Sequence, residues 1–229
     1  MNLFFFTTLF VLIVSCNDAY KILLVFNFPG RSLSHLARGF VKHLHNAGHE
    51  ITYVTAFPLK NAPVENFREI DVSKSVEHTF SEEILNVTSI LDKHDTSYIT
   101  DVKGLMELSL EVADAAFQDI NFMRLLRNPT EKFDVVIADL IEANVYAGLS
   151  VLYDCPMIWS FSMGTQWSVV KLIDEATNPA YVVDYLSLNL PPLTFAQRVE
   201  ELWTQIRGNY LKEFIIRPKE EALYKKIFI

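Results

Sequence analysis

Short, almost wholly apolar runs alternate along this chain with longer stretches in which apolar residues recur every third or fourth position. That is the alternation of buried strands with helices covering the face of a sheet. The first run, Lys21 to Phe28 (KILLVFNF), reads as a strand buried on both faces, ended by Pro29 and Gly30. Beyond it Leu36, Ala37, Phe40, Val41 and Leu44 fall at helical spacing, so a helix is predicted from Ser34 or His35 until Gly48 stops it. Glu50 to Thr55 (EITYVT) reads as a second strand, and a Pro-rich loop leads to a short edge strand near Arg68 to Val72, which completes a βαβ unit. Ser73 to Val102 is polar and poorly periodic and predicts no definite element. Gly104 to Arg127, with apolar positions from Leu105 to Leu126 at three and four residue spacing, predicts one long amphipathic helix closed by Asn128-Pro129. Phe133 to Ala138 is a compact buried strand with Asp139 at its carboxyl end. Glu142 to Leu152 follows as a helix and Pro156 to Ser160 as another strand. The first unit is thus repeated, and the predicted class is α/β with a doubly wound, mainly parallel sheet. Beyond Phe161 the chain is aromatic and β-branched but broken at Asn178-Pro179 and Pro191-Pro192. It reads as short helices and loops, suited either to ordinary packing or to lining an apolar pocket. Helical spacing returns from Phe195 to Phe228, with Pro218 kinking or dividing the run.

This pattern places two chemically capable side chains where open α/β sheets bind ligands, at the carboxyl ends of strands. His35 follows the first strand near a helix N-terminus, whose dipole favours the neutral imidazole that can accept a proton. Asp139 ends a later strand, and right-handed crossovers bring both exits to one edge. An Asp accepting the ring N–H of a His fixes its tautomer and stabilises the imidazolium formed when the other nitrogen takes a proton. Two plainer readings compete: a surface loop histidine and a helix N-cap aspartate.

Charge adds little. Asp and Glu number 28 against 20 Lys and Arg, a formal net of −8, with no basic block and no basic stripe along a helix, which disfavours nucleic acid as a partner. Leu3 to Val14 has the length of a secretory h-region and is too short to span a bilayer, so residues 1–19 are expected to be a signal peptide and the remaining 20–229 one domain. Asn86-Val87-Thr88 is the one usable N-glycosylation sequon, because Asn128 precedes a proline. Cys16 would leave with or border the signal, and Cys155 alone makes no disulfide framework. No G-x-G-x-x-G, phosphate-binding P-loop or G-x-S-x-G motif occurs, which argues against a nicotinamide oxidoreductase, a nucleotide triphosphatase and an α/β-hydrolase. His43 and His45 are two apart on a helix and point away from each other, and no histidine has acidic or thiol neighbours at ligand spacing; no metal is expected.

The strand-loop-His35 segment, AGHEITYVTAFP (Ala47 to Pro58), EKFDVVIADL (Glu131 to Leu140) and VLYDCPMIWS (Val151 to Ser160), together with the signal, resemble the N-terminal half of the UDP-glycosyltransferases. The glucuronosyltransferase-like group is meant, most closely its insect members. The resemblance implies a Rossmann-like domain, the acceptor half of a two-domain GT-B enzyme. It implies that His35 is the catalytic base and Asp139 its partner. The chemistry implied is inverting transfer from a UDP-sugar to a hydroxyl of a small lipophilic acceptor, with no cofactor beyond the UDP-sugar co-substrate. Nothing after Ile229 supplies the family's donor domain or membrane anchor, so this chain is expected to be inactive alone. Its expected place is the lumen of the endoplasmic reticulum, with oligomers formed with full-length relatives as a further expectation. The alternative is a non-catalytic binder of lipophilic molecules or a partner of those relatives.

Overall fold

The computed structural model describes residues 19–79, 102–128, 130–141, 143–162, 167–173, 175, 177–184 and 187–229; residues 1–18 of the expected signal and Asn86 lie outside them. Five strands form one sheet: β1 (Lys21–Phe26), β2 (Glu50–Thr55), β3 (Phe67–Asp71), β4 (Val135–Asp139) and β5 (Met157–Ser160). Their order is β3-β2-β1-β4-β5 and every neighbouring pair is parallel, so the expected mainly parallel sheet is parallel throughout.

The continuous apolar run of β1 is needed because both its faces are covered. Leu23 and Val25 join Val136 and Ala138 in one core, while Ile22, Leu24 and Phe26 join Ile51, Tyr53 and Ile137 in another. The second core is closed by α1 (Arg31–Asn46) through Ala37 and Val41. The first and larger one lies under α2 (Ser73–Glu77), α3 (Val102–Phe117), α4 (Ile120–Leu126) and α5 (Ala147–Tyr153), with the chain's last helix packed beside them. Between β5 and that last helix come a short helix α6 (Trp167–Val170), α7 (Phe195–Leu211), a π-helical stretch (Lys212–Ile216) and then α8 (Arg217–Phe228) itself.

Four expectations are corrected. The first helix begins at Arg31 rather than at Ser34 or His35, because Ser34 does not cap it. The Ser34 hydroxyl donates back to the Arg31 carbonyl at 2.7 Å and its N–H bonds the Gly30 carbonyl at 3.0 Å. The long helix expected over Gly104 to Arg127 is two helices. Asp119 ends the first and caps the second, accepting from Asn121 N–H at 2.9 Å and Phe122 N–H at 3.2 Å while Ser75 donates to its other oxygen at 2.8 Å. Apolar spacing persists across the break, since Phe117 and Phe122 stack at 5.3 Å, and periodicity alone could not show it. The segment expected as a helix over Glu142 to Leu152 is a 3₁₀ turn (Asn144–Tyr146) leading into α5. Finally, the expectation of no basic stripe fails on α1. This helix carries no Asp or Glu, and Arg31, His35, Arg38, Lys42 and His45 follow one another at spacings of four and three along a single face. The chain's net charge of −8 had masked it.

Pro218 is accommodated in the first turn of α8, directly after the π-helical stretch, so the run divides there without being broken. Helix α7 is turned inside out: Glu201 and Gly208 face the protein, while Phe195 and Trp203 stand 81% and 64% exposed. Among the described residues no helix is long and apolar enough to cross a membrane.

Candidate active site

In a sheet ordered 3-2-1-4-5 the chain reverses direction between β1 and β4, and the crevice outside their carboxyl ends is the usual ligand site of an open parallel sheet. The register pairs Val25 with Ala138, so the exits of β1 and β4 stand side by side. Of the two candidate residues, Asp139 ends β4 and His35 lies in the helix that follows β1.

Asp139 is the last residue of β4. Strand alternation gives it the face of Ile137, which is the face that α1 covers. It is 7% exposed, and neither carboxylate oxygen has a hydrogen-bond partner among the described residues. Burial without a compensating donor disfavours the charged form, and the carboxyl is pushed up from its ordinary 3.8 to about 7. His35 lies one turn inside α1, exposed and without a hydrogen bond among the described residues. At that depth the field of the helix end has largely fallen off, so the dipole argument for a neutral ring loses its footing. No hydrogen bond joins His35 and Asp139 among the described residues.

Two further residues at this rim escaped the reading of the sequence. Asn27, the residue after β1, and Tyr146, in the 3₁₀ turn after β4, are both buried and pair with each other. The Asn27 amide donates to the tyrosine oxygen at 2.6 Å, and the tyrosine hydroxyl donates to the amide oxygen at 2.9 Å. This pair ties the loops leaving β1 and β4 across the switch point. The phenol is driven upward by its burial and by the charge of Asp139, against the opposing hydrogen bond from Asn27. The one signal in the sequence was a lone asparagine inside an otherwise apolar strand run.

Beside the rim, past Leu140 and Asn144, opens a cavity of about 280 Å³ walled by Phe161, Trp167 and Leu172. Of the aromatic segment beyond β5, only the part from Phe161 to Leu172 reaches this cavity, which is not the wholly apolar pocket that one reading expected. Its other wall is charged: Lys212 and Glu220, both largely buried, pair at 3.0 Å, and Glu220 also accepts from the Asn144 N–H at 2.8 Å. Trp167 is seated against Gly208 of α7, where a Cβ would stand 2.5 Å from the indole ring, so only glycine lets that helix approach. No group of three or more His, Cys, Asp or Glu among the described residues is placed to hold a metal ion.

No family model matches the chain. UDP-glucosyltransferase 2 of Dactylopius coccus is 31% identical over 196 residues, which are 83% of this chain and 36% of that protein. The ecdysteroid UDP-glucosyltransferase of Lacanobia oleracea granulosis virus is 31% identical over 146 residues, 63% of this chain and 30% of its own length. The chain spans about a third of the length of these curated relatives. Five parallel strands flanked by helices and this likeness over most of its length agree: the chain belongs to the UDP-glycosyltransferase family.

Proposed function

We propose that this chain is the acceptor-binding part of a UDP-glycosyltransferase and carries its catalytic base. In this reading a lipophilic acceptor enters the cavity beside Leu140 and Phe161 with its hydroxyl toward His35. The ring takes the hydroxyl proton as the oxygen attacks the anomeric carbon of a UDP-sugar, and UDP departs from the opposite face with inversion. Asp139 is then a positioning residue. A rotamer change brings its carboxylate to the far ring nitrogen, where it orients the imidazole and stabilises the imidazolium as the proton arrives. The observation that carries this is the buried Asp139 carboxyl at the switch point, with both oxygens unpartnered among the described residues, on the sheet face covered by the helix that contains His35. A buried polar group left without a partner costs about 1–3 kcal/mol, and a partner acquired during the reaction is a reason for a fold to bear it.

The donor sugar is held, in this reading, by the part of the full-length relatives that the chain does not cover, so transfer by the chain alone is expected to be absent. Export to the lumen of the endoplasmic reticulum, with Asn86 glycosylated, belongs to the same proposal. So does association with longer relatives. The alternative of a non-catalytic binder is not favoured, since both relatives are named as transferases. The test is transfer of labelled glucose from UDP-glucose to a panel of phenols and lipophilic alcohols, by the chain joined to the uncovered part of the Dactylopius relative. His35→Ala should lower the rate by roughly a hundredfold or more, the usual scale of general-base catalysis. Full activity in that variant would remove His35 from the reaction.

A further inference from the structure

A groove of about 500 Å³ runs between α1 and the connection from β2 to β3. That volume is ordinary for a small-molecule site, roughly 300–1,000 Å³. Its floor is apolar, made by Val41, Leu59 and Pro63, and its rim is cationic, made by Arg38, Lys42 and Lys60. No Asp or Glu lines it. We propose that this groove binds an amphiphilic anion: a carboxylate or phosphate-ester head held by Arg38, Lys42 and Lys60, with the apolar body lying on Leu59 and Pro63.

What marks the groove is three cations gathered over an apolar floor with no acidic residue in its lining. By contrast Lys171, Lys212, Arg217, Lys219 and Lys226 each hold a carboxylate within 3.0 Å. Arg38, Lys42 and Lys60 make no ion pair among the described residues, although the chain has eight more acidic than basic groups to supply one. The nearest carboxylate that feels Arg38 is Glu69, and it is otherwise engaged, accepting the Leu59 N–H at 2.9 Å in a half-buried setting. Like charges at i and i+4 on a helix, as at Arg38 and Lys42, repel each other, and an anion between them turns that repulsion into attraction. His45 is tied at 2.9 Å to the backbone carbonyl of Glu65, which holds the β2–β3 connection against the helix and keeps the groove's walls in place. The apolar floor decides the ligand class. A bare phosphate or a hydrated polymer gains nothing from Leu59 and Pro63, whereas a chain or ring attached to the anion removes that surface from water. The inference does not rest on the transferase reading.

The full chain is titrated by calorimetry with dodecyl phosphate, dodecanoate, dodecanol and inorganic phosphate, each below its aggregation limit. Expected is a site apart from the cavity beside Leu140 and Phe161, at which both anionic amphiphiles compete and bind at least tenfold more tightly than dodecanol or inorganic phosphate. Which of the two is tighter identifies the head group. Arg38→Glu with Lys42→Glu should weaken that binding tenfold or more, and Arg217→Glu, a control cation on α8, should leave it unchanged. If the doubly reversed chain does not fold, as read by its circular dichroism, Arg38→Gln and Lys60→Gln take its place with the same expectation. Equal binding of dodecanol overturns the role of the cations. Equal binding of inorganic phosphate overturns the role of the floor, and absence of binding or indifference to the substitutions overturns the site.

Discussion

Replacing Asp139 by Asn should make this protein more stable at neutral pH than at acid pH relative to the parent chain, by an amount the structure allows to be worked out. Asp139 is 7% exposed, its carboxyl has no hydrogen-bond partner among the described residues, and it sits at about 7 in the folded chain against an ordinary 3.8. Below the ordinary value both folded and unfolded chains hold the proton and the group costs nothing. Between that value and about 7 the unfolded chain releases the proton while the folded chain keeps it, so stability falls as pH rises through this window, and above it the loss is complete. Roughly three pH units at about 1.4 kcal/mol each put the whole effect on the order of 4 kcal/mol. Asn is neutral throughout, so any fixed cost of burying its amide cancels when the two chains are compared across pH. Urea unfolding of both at intervals from pH 4 to pH 8 should therefore show the advantage of Asp139→Asn growing up to about pH 7 and then levelling. The same substitution should abolish sugar transfer in the joined enzyme, a gain in stability at the expense of function. A flat difference would mean that the carboxyl is solvated in the folded chain. A difference of the opposite slope would mean that the carboxylate is already paired, and the orphaned-carboxyl argument would fall with it.

Other tests bear on the frame around the site. Glu201 is 3% exposed and alone collects the Asp184 N–H at 2.9 Å, the Ser187 hydroxyl and the Asn189 amide at 2.9 Å. Glu201→Ala should cost about 3 kcal/mol in denaturant unfolding and open residues 187–190 to protease; an unchanged cleavage rate would show that these residues are held otherwise. A Cβ at Gly148 would run into the Phe228 ring, so Gly148→Ala should destabilise by about 1–3 kcal/mol and Phe228→Leu should restore most of it. No rescue would place the strain elsewhere. Tyr146→Phe removes one partner of the buried Asn27 amide and should cost about 1–3 kcal/mol by the same unfolding assay, with a neutral result refuting the brace between the two loops. Expression in insect cells should yield a product that begins near residue 20 and shifts on glycosidase treatment unless Asn86 is replaced; a product beginning at Met1 would refute export.

The elements of this protein were legible wherever burial imposes a local period. β1, β2 and β4 announce themselves as apolar runs because a parallel sheet covered on both faces tolerates little else, and α1 and α7 announce themselves by their spacing. The same logic could not see the break at Asp119, where the cap depends on Ser75 brought from a distant segment, or the inversion of α7, whose stripe looks the same whether it faces core or water. Asp139 was identifiable as the residue at a strand exit and His35 as a polar residue near the start of the helix after β1, because residue type and spacing are properties of the chain itself. That the exits of β1 and β4 adjoin, that Asp139 is sealed from donors, that Asn27 and Tyr146 join across the switch point and that Lys60 comes to rest beside Arg38 and Lys42 were decided by tertiary structure alone. The order in which strands pair, and the side chains met at their ends, are set by contacts between residues far apart in sequence. Such contacts leave no local period behind them.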